Sequence, residues 1–267
     1  MNKMDKAFRE LTQMDELAAQ DSPLHRLNAG AKLLCTVVYI MTVISFSKYD
    51  LTGLIPMVLW PVLLFQLGGI YVGTCFYKLR VVLPLVMAVG LFNPFFDRTV
   101  VMNVGGFSVT GGVINMVSLM LKGVLCLMAS FLLVASTRFD SICGALRAVH
   151  VPKVLVTLLL LTYRYIGVMM EELSVMTDAY HLRAPGQRGI HVSAWGSFLG
   201  LLLLRSMDRS QELYSAMLLR GYRGEFYYAE SRPFKMKDAA FLLVCVMFCV
   251  GLRVVNVSEI LGQAVIR

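Results

Sequence analysis

Two arginines stand in matching sequence contexts, and the chemistry that they offer is binding. Arg183 ends the run Ala-Tyr-His-Leu-Arg and Arg220 ends the run Ala-Met-Leu-Leu-Arg, so each has an alanine four residues before it. On a helix that spacing puts a small side chain one turn from the guanidinium. A small residue lets a second protein approach closely, and a guanidinium pairs with carboxylates and carbonyls. The repetition predicts two docking points rather than two simple helix-capping charges. The residues of the two predicted docking points are Ala179, Arg183, Ala184, Ala216, Arg220 and Gly221.

Closely spaced carboxylates are the other candidates for chemistry. They are Glu171 with Glu172, and Asp208 with Glu212. A membrane enzyme that acts on lipids would use such groups for acid–base catalysis. We expect these carboxylates instead to pair with arginines such as Arg205 and Arg209, or to be solvated on a helix face. The sequence therefore predicts no catalytic residues.

Residue types that bind metals are scattered along the chain. The four histidines show neither HxxH nor HxxxH spacing, and we interpret His25 as a boundary or capping residue. Cys245 and Cys249 share one helix face, but we interpret them as small apolar residues, and the six cysteines predict no disulfide framework. The phosphate-binding pattern GxxxxGK[ST] does not occur. We expect no metal site and no bound cofactor, and we expect ATP to be hydrolysed by partner subunits.

The composition defines the environment of these residues. Of 267 residues, 57% are hydrophobic and 16% are charged, and the mean hydropathy is +0.68. That balance excludes a soluble globule, a disordered chain and a coiled coil. The formal net charge of +8 is explained by the positive-inside rule and not by nucleic acid. The sequence therefore predicts an all-α protein embedded in a lipid bilayer.

Five apolar segments, with their flanks, are long enough to cross a bilayer. They are 33–46, 51–76, 81–92, 113–135 and 239–257. Twenty of the 25 lysines and arginines fall on one side of these spans, which places the N-terminus of a multi-pass plasma-membrane protein in the cytoplasm. Asn93-Pro94 is expected to break the third span. The alternating residues around Gly105-Gly106 predict a small β-hairpin.

Two further features concern the membrane helices and the N-terminal arm. Lys122 lies inside the fourth span, where a charge is a functional candidate, although a lysine that snorkels outward is the simpler explanation. In the arm, apolar residues at helical spacing predict a short amphipathic helix. These residues are Met4, Ala7, Phe8, Leu11 and Ala18.

A basic segment of about a hundred residues is helical in pattern but interrupted by charges. A first long helix is predicted from Val151-Pro152 to about Leu182, where Ala184-Pro185-Gly186 ends it, and a second from about Ser193 to Arg220. Gly221 is predicted to be the left-handed residue that ends the second helix. The apolar stretches 154–170 and 192–204 are alternative spans, but two more crossings would place Arg183 and Arg188 outside.

These elements predict four regions. They are a cytoplasmic N-terminal arm (1–32), four transmembrane helices (33–136), a cytoplasmic domain of two long helices that end in arginine motifs (137–238), and a last transmembrane helix with the C-terminus (239–267).

Three stretches of the chain also carry a family resemblance. They are 22–34, which begins Ser-Pro-Leu-His-Arg-Leu-Asn, 151–172, which begins Val-Pro-Lys, and 205–224, which ends Ala-Met-Leu-Leu-Arg-Gly-Tyr-Arg-Gly. The third is the most specific. Together they resemble the transmembrane T component of energy-coupling factor (ECF) transporters, and specifically the cobalt-type CbiQ, over about residues 20–235.

The resemblance implies a non-catalytic scaffold subunit of an ATP-driven importer. In the family, arginines in two Ala-Arg-Gly signatures dock into grooves on a pair of ABC-type ATPases. The ATPases move these coupling helices, which reorient a membrane-embedded substrate-binding (S) subunit. The signatures map onto Arg183 and Arg220, but this chain has a leucine before each arginine and Ala184 in place of the first glycine. Cobalt is the expected cargo, with nickel or a vitamin as alternatives that need the same kind of subunit.

Overall fold

The protein is built almost entirely of helices. The computed structural model describes residues 12–47, 51–80, 82–96, 100–104, 107–187, 189–224 and 234–254. The helices are α1 (12–18), α2 (Ala29–Ser45), α3 (Leu51–Leu54), a 3-10 turn (Ile55–Val58), α4 (Leu59–Gly68), α5 (Val72–Leu79), α6 (Leu83–Phe96), α7 (Gly111–Ser136), α8 (Phe139–Ala148), α9 (Lys153–Arg183), a second 3-10 turn (Val192–Ala194), α10 (Trp195–Leu219) and α11 (Met236–Val254). The predicted all-α class is confirmed.

The described residues divide into two compact units. The first, called the bundle unit, contains residues 15–138 and 234–254. The second, called the long-helix unit, contains residues 12–14 and 139–224.

The bundle unit has a core of apolar side chains between α2, α4, α7 and α11. Tyr39 and Leu125 are fully enclosed, and the Tyr39 hydroxyl donates to the Met57 carbonyl at 3.0 Å, so its polar atom is satisfied. The Trp60 ring centre lies 5.3 Å from that of Phe248. The other faces of these helices expose large apolar side chains, as helices in a bilayer do.

Two lysines cap helix ends inside the bundle unit. Lys32 is buried near the start of α2, and its Nζ donates to the Ser136 carbonyl at the end of α7 at 2.7 Å. Lys122 lies within α7, and its Nζ donates at 2.6 Å to the carbonyl of Phe46, the C-cap residue of α2. A cation at a helix C-terminus is favourable because the last carbonyls carry partial negative charge. Lys122 therefore has a structural partner that the sequence did not reveal.

The second predicted span, 51–76, was wrong as a single helix. A helix end interrupts it at Gly69, which has a φ of 65°. The Gly69 N–H donates to the Gln66 carbonyl and the Ile70 N–H to the Phe65 carbonyl, both at 3.2 Å. These bonds satisfy the last carbonyls of α4 in the usual glycine-ended arrangement, after which α5 begins at Val72.

The third predicted span differs at its end, and the hairpin that follows is confirmed. The expected break at Asn93-Pro94 was wrong, since α6 continues to Phe96. Pro94 removes the one bond that its N–H would have donated to the Gly90 carbonyl, and α6 continues for only two more residues. Beyond it β1 (Val100–Val104) and β2 (Phe107–Thr110) pair antiparallel, with Val104 opposite Phe107. The central Gly105-Gly106 lies outside the described residues.

A disulfide corrects the prediction for the cysteines. Cys35 of α2 and Cys245 of α11 are bonded across 210 residues of sequence, and both are buried. Cys249, one turn further along α11, is a free buried thiol, as expected of a cysteine that packs as a small apolar residue. The expectation of no disulfide was therefore wrong for one pair.

The N-terminal arm is described only from Thr12 onward. The predicted amphipathic residues Met4, Ala7, Phe8 and Leu11 lie outside the described residues. Ala18, the fifth of that set, is buried at the end of α1.

The two long helices are confirmed in the long-helix unit. α9 starts directly after Pro152 and has 31 residues, and α10 has 25 residues. α8 packs on α9, where the Phe139 and Tyr163 rings stack with centroids 4.1 Å apart. Among the described helices, α7 and α9 are long and apolar enough to cross a membrane by length and composition. The five-span topology stays a prediction.

Candidate functional site

The second arginine ends its helix in a well-defined cap. Arg220 is the C-cap residue of α10, and its N–H donates to the Ala216 and Met217 carbonyls at 3.2 and 3.1 Å. Gly221 has a φ of 82°, which confirms the predicted left-handed residue. The Tyr222 N–H reaches back to Met217 at 3.0 Å, which completes a Schellman motif. The cap fixes the backbone that carries the guanidinium.

The first arginine sits in a different cap. Arg183 is the last residue of α9, and Ala184 is the C-cap with φ −127° and ψ 66°, outside the left-handed region. The Ala184 N–H donates to the Tyr180 carbonyl at 3.0 Å. The left-handed residue comes two positions later, at Gly186, with a φ of 93°. Alanine in place of glycine therefore coincides with a different path of the chain out of the helix.

A tyrosine holds the loop that follows the first arginine. The Tyr180 hydroxyl donates to Oε1 of Gln187 at 3.0 Å and accepts the His191 N–H at 3.2 Å. Nδ1 of His191 in turn lies 2.8 Å from the Ser193 hydroxyl, at the start of the turn before α10. Sequence reasoning missed Tyr180, because its place one turn before a helix end carries no signal of these bonds.

Both candidate docking points are open to solvent. The alanines one turn before the arginines, Ala179 and Ala216, are exposed, as are both guanidinium-bearing residues. The leucines before them, Leu182 and Leu219, are 84% and 90% exposed. Within the described part of the chain, neither guanidinium has a hydrogen-bond or ion-pair partner. Each helix end thus presents a free cation beside an apolar side chain.

Two of the four candidate carboxylates, Glu172 and Glu212, pair with arginines, in agreement with the prediction for these two. Glu172 of α9 forms an ion pair with Arg205 of α10. Oε2 of Glu212 lies 3.4 Å from Nη1 of Arg209, on the same face of α10. In these pairs each carboxylate is bound to an arginine, which is always protonated. The pairs therefore have a structural role.

Histidine and cysteine side chains do not converge on a metal site in the described ranges. No group of three or more His, Cys, Asp or Glu side chains there can hold a metal ion. Nε2 of His25 donates to the Leu17 and Ala135 carbonyls at 3.0 and 3.3 Å, and Nδ1 lies 2.6 Å from the Ser22 hydroxyl. The prediction of a capping role for His25 is confirmed. In α8, burial raises the pKa of the Cys143 thiol.

Comparisons with known proteins place the chain in a family. The family model described as cobalt transport protein, CbiQ, matches residues 20–228. The chain belongs to this family, and it is therefore a membrane-embedded component of a transport system. The resemblance to CbiQ-type T components is confirmed.

Three relatives show how the similarity is distributed. An uncharacterized protein of Methanocaldococcus jannaschii is 26% identical over 236 residues, covering 84% of this chain and 80% of the relative. The cobalt transport protein CbiQ of Rhodobacter capsulatus is 31% identical over 104 residues, 38% of this chain and 42% of the relative. The nickel permease LarQ of Lactiplantibacillus plantarum is 27% identical over 103 residues, 39% of this chain and 38% of the relative.

Proposed function

We propose that this chain is the T component of an ECF-type importer, the scaffold that transmits ATPase motion to a membrane-embedded S subunit. The observation that carries the proposal is the pair of exposed arginines at the ends of α9 and α10, which have no partner among the described residues, in a chain of the CbiQ family. A guanidinium carried on a capped helix end is suited to a groove lined by carboxylates and carbonyls. Two such ends fit two copies of one ATPase.

The apolar halves of the long helices support the second part of the proposal. Leu155 and Leu158 of α9 and Leu199 and Leu203 of α10 are more than half exposed in the long-helix unit. Exposed apolar surface of this extent needs lipid or a membrane protein to cover it. An S subunit supplies that cover in the proposed complex, and the N-terminus lies in the cytoplasm.

Cobalt is the proposed cargo, and nickel is the second candidate. The relatives named for cobalt and nickel transport align with similar identity over similar lengths, so the choice between the ions rests on the family description. The experiment is uptake of radioactive cobalt and nickel by cells that express the chain with its ATPase and S subunit. ATP-dependent cobalt uptake supports the proposal in full, and nickel uptake changes only the cargo. Uptake of neither ion by an assembled, ATP-hydrolysing complex contradicts a metal cargo.

The role of the arginines is separated from the cargo by a docking assay. Arg183→Ala and Arg220→Ala are each expected to weaken co-purification of the ATPase, and together to abolish it, because each groove loses its charged anchor. Arg209→Ala is the matched control, since Arg209 is exposed on α10 and pairs within its own helix. Loss of docking in the control alone would contradict the proposal.

A further inference from the structure

One ion pair joins the middle of α9 to the middle of α10. The carboxylate of Glu172 contacts the guanidinium of Arg205, and the two side chains are 31% and 46% exposed. The carboxylate oxygen that faces the arginine, Oε1, is shielded from solvent. The contact is therefore an ion pair between two half-exposed residues of different helices, with one carboxylate oxygen shielded.

The pair lies where both helices change character. Residues 154–170 of α9 are apolar except for a few positions such as Arg164, and Glu171-Glu172 ends that stretch. In α10, residues 198–204 are apolar and Arg205 ends the run. Beyond the pair, both helices mix charged and polar residues with apolar ones on the way to their arginine-bearing ends. The ion pair thus joins the two helices where the long apolar stretch of each one ends.

The distances along the helices allow this contact to act as a pivot between α9 and α10. Arg183 follows Glu172 by 11 residues, and Arg220 follows Arg205 by 15 residues. At a rise of 1.5 Å per residue these arms are about 17 Å and about 23 Å long. A helix is stiff over such lengths, so a displacement at one end changes the angle at the contact point.

A half-exposed ion pair adds little to stability, because solvent screens it. Its larger effect is on geometry, since the planar guanidinium binds a carboxylate in a defined direction, and polar pairs are known to set the register of helices. We propose that the Glu172–Arg205 pair fixes the contact point of α9 and α10, so that movement of one arginine-bearing end is transmitted to the other. The transmission rests on the proposed function, whereas the fixed contact point is a property of this chain alone.

The contact point is tested on the full chain in lipid nanodiscs, without partners. Spin labels are placed at Leu182→Cys and Leu219→Cys, which are exposed and leave both arginines intact, with the free cysteines replaced by alanine. Those cysteines are Cys75, Cys126, Cys143 and Cys249. Pulsed EPR should give a narrow distance distribution for the parent and a broader one for Glu172→Gln and for Arg205→Gln. The charge exchange Glu172→Arg with Arg205→Glu should narrow it again.

Two results would overturn the proposal. One is a distribution of unchanged width in both single variants, and the other is an exchanged pair that folds but stays as broad as the singles. If the exchanged pair does not accumulate in membranes, the double variant Glu172→Gln/Arg205→Gln decides the matter. It should be no broader than either single variant, and additive broadening would contradict a direct pair. Arg209→Gln/Glu212→Gln, a pair within α10, is the control that should leave the width unchanged.

The transmission is tested in the assembled transporter. Glu172→Gln and Arg205→Gln should retain co-purified ATPase but lose about fivefold or more of the cobalt or nickel uptake per ATP hydrolysed, a typical size for coupling between sites. The exchanged pair should recover it. Full uptake in the single variants would contradict transmission through this pair. If the proposed function is wrong, ATPase binding will not depend on Arg183 and Arg220. The EPR result does not depend on the proposed function.

Discussion

The buried amine of Lys32 donates to the Ser136 carbonyl at 2.7 Å, and Lys122 makes the reciprocal bond to Phe46 at 2.6 Å. Phe46 follows Lys32 by 14 residues, and Ser136 follows Lys122 by the same number. The two bonds are therefore about 21 Å apart along a pair of antiparallel helices, and each helix supplies the cation that caps the other. This pairing fixes the register of α2 against α7.

Lys32→Met and Lys122→Met are each expected to destabilise the protein by about 1.5–3 kcal/mol, the usual contribution of a hydrogen bond to a charged group. Thermal unfolding in detergent, followed by tryptophan fluorescence, measures the effect. Arg26→Met is the control, since Arg26 pairs with Asp21 on the exposed surface and its loss should leave the unfolding temperature nearly unchanged. Equal unfolding temperatures for all three variants would show that the two lysines do not hold the helices together.

Gly221→Ala is expected to weaken ATPase binding, because alanine at a φ of 82° costs about 1–2 kcal/mol. Apart from the glycine itself and its chain neighbours, no atom of the described residues lies within 4 Å of the position that the added Cβ would occupy, so the penalty is conformational and not steric. Gly221→Asn should bind with intermediate affinity, since asparagine tolerates the left-handed region. Titration of labelled ATPase onto the chain in nanodiscs measures both. Identical affinities for all three proteins would contradict a role for the cap.

Tyr180→Phe removes one oxygen and both hydrogen bonds that hold the loop after Arg183. We expect faster amide hydrogen exchange across residues 184–192 and a weaker first docking point, because the unbraced loop has more conformations to lose on binding. Tyr214→Phe is a matched control on α10, where the tyrosine is exposed. Unchanged exchange in Tyr180→Phe would indicate that the loop is held by other contacts.

His150→Gly is expected to stabilise the connection between α8 and α9. His150 has a φ of 67°, and the Val151 N–H donates to the Leu146 carbonyl at 3.2 Å, so histidine occupies the position that glycine favours in a Schellman cap. Relief of the left-handed strain, less the entropy that glycine loses on folding, leaves a gain of at most about 1 kcal/mol. A lower unfolding temperature for His150→Gly than for the parent would contradict this account, and His150→Val should be the least stable of the three.

The sequence predicted the elements whose signals are local. Val151-Pro152 and Gly221 mark the ends of the long helices because proline and glycine restrict or permit particular backbone angles. The hairpin was predicted from alternation and turn residues for the same reason. The break at Gly69 had an equally local signal in Gly68-Gly69, but the apolar run on both sides obscured it.

Features that depend on distant contacts were not predictable from one sequence. The Cys35–Cys245 disulfide and the Asn28–Asp238 bond each join α2 to the region of α11 across 210 residues. Whether Lys122 faces lipid or a helix end depends on where α2 stops, which is a tertiary property. The positions of Arg183 and Arg220 at helix ends were predicted, whereas the difference between their caps emerged only from the backbone angles.

The most direct test of the proposed function is co-purification of the ATPase with the full chain carrying Arg183→Ala and Arg220→Ala together. If the two arginines are docking points, the double variant will be stable and embedded in lipid but will retain no ATPase. The Arg209→Ala control will retain all of it. Parent-level ATPase in the double variant would contradict the assignment of α9 and α10 as coupling helices.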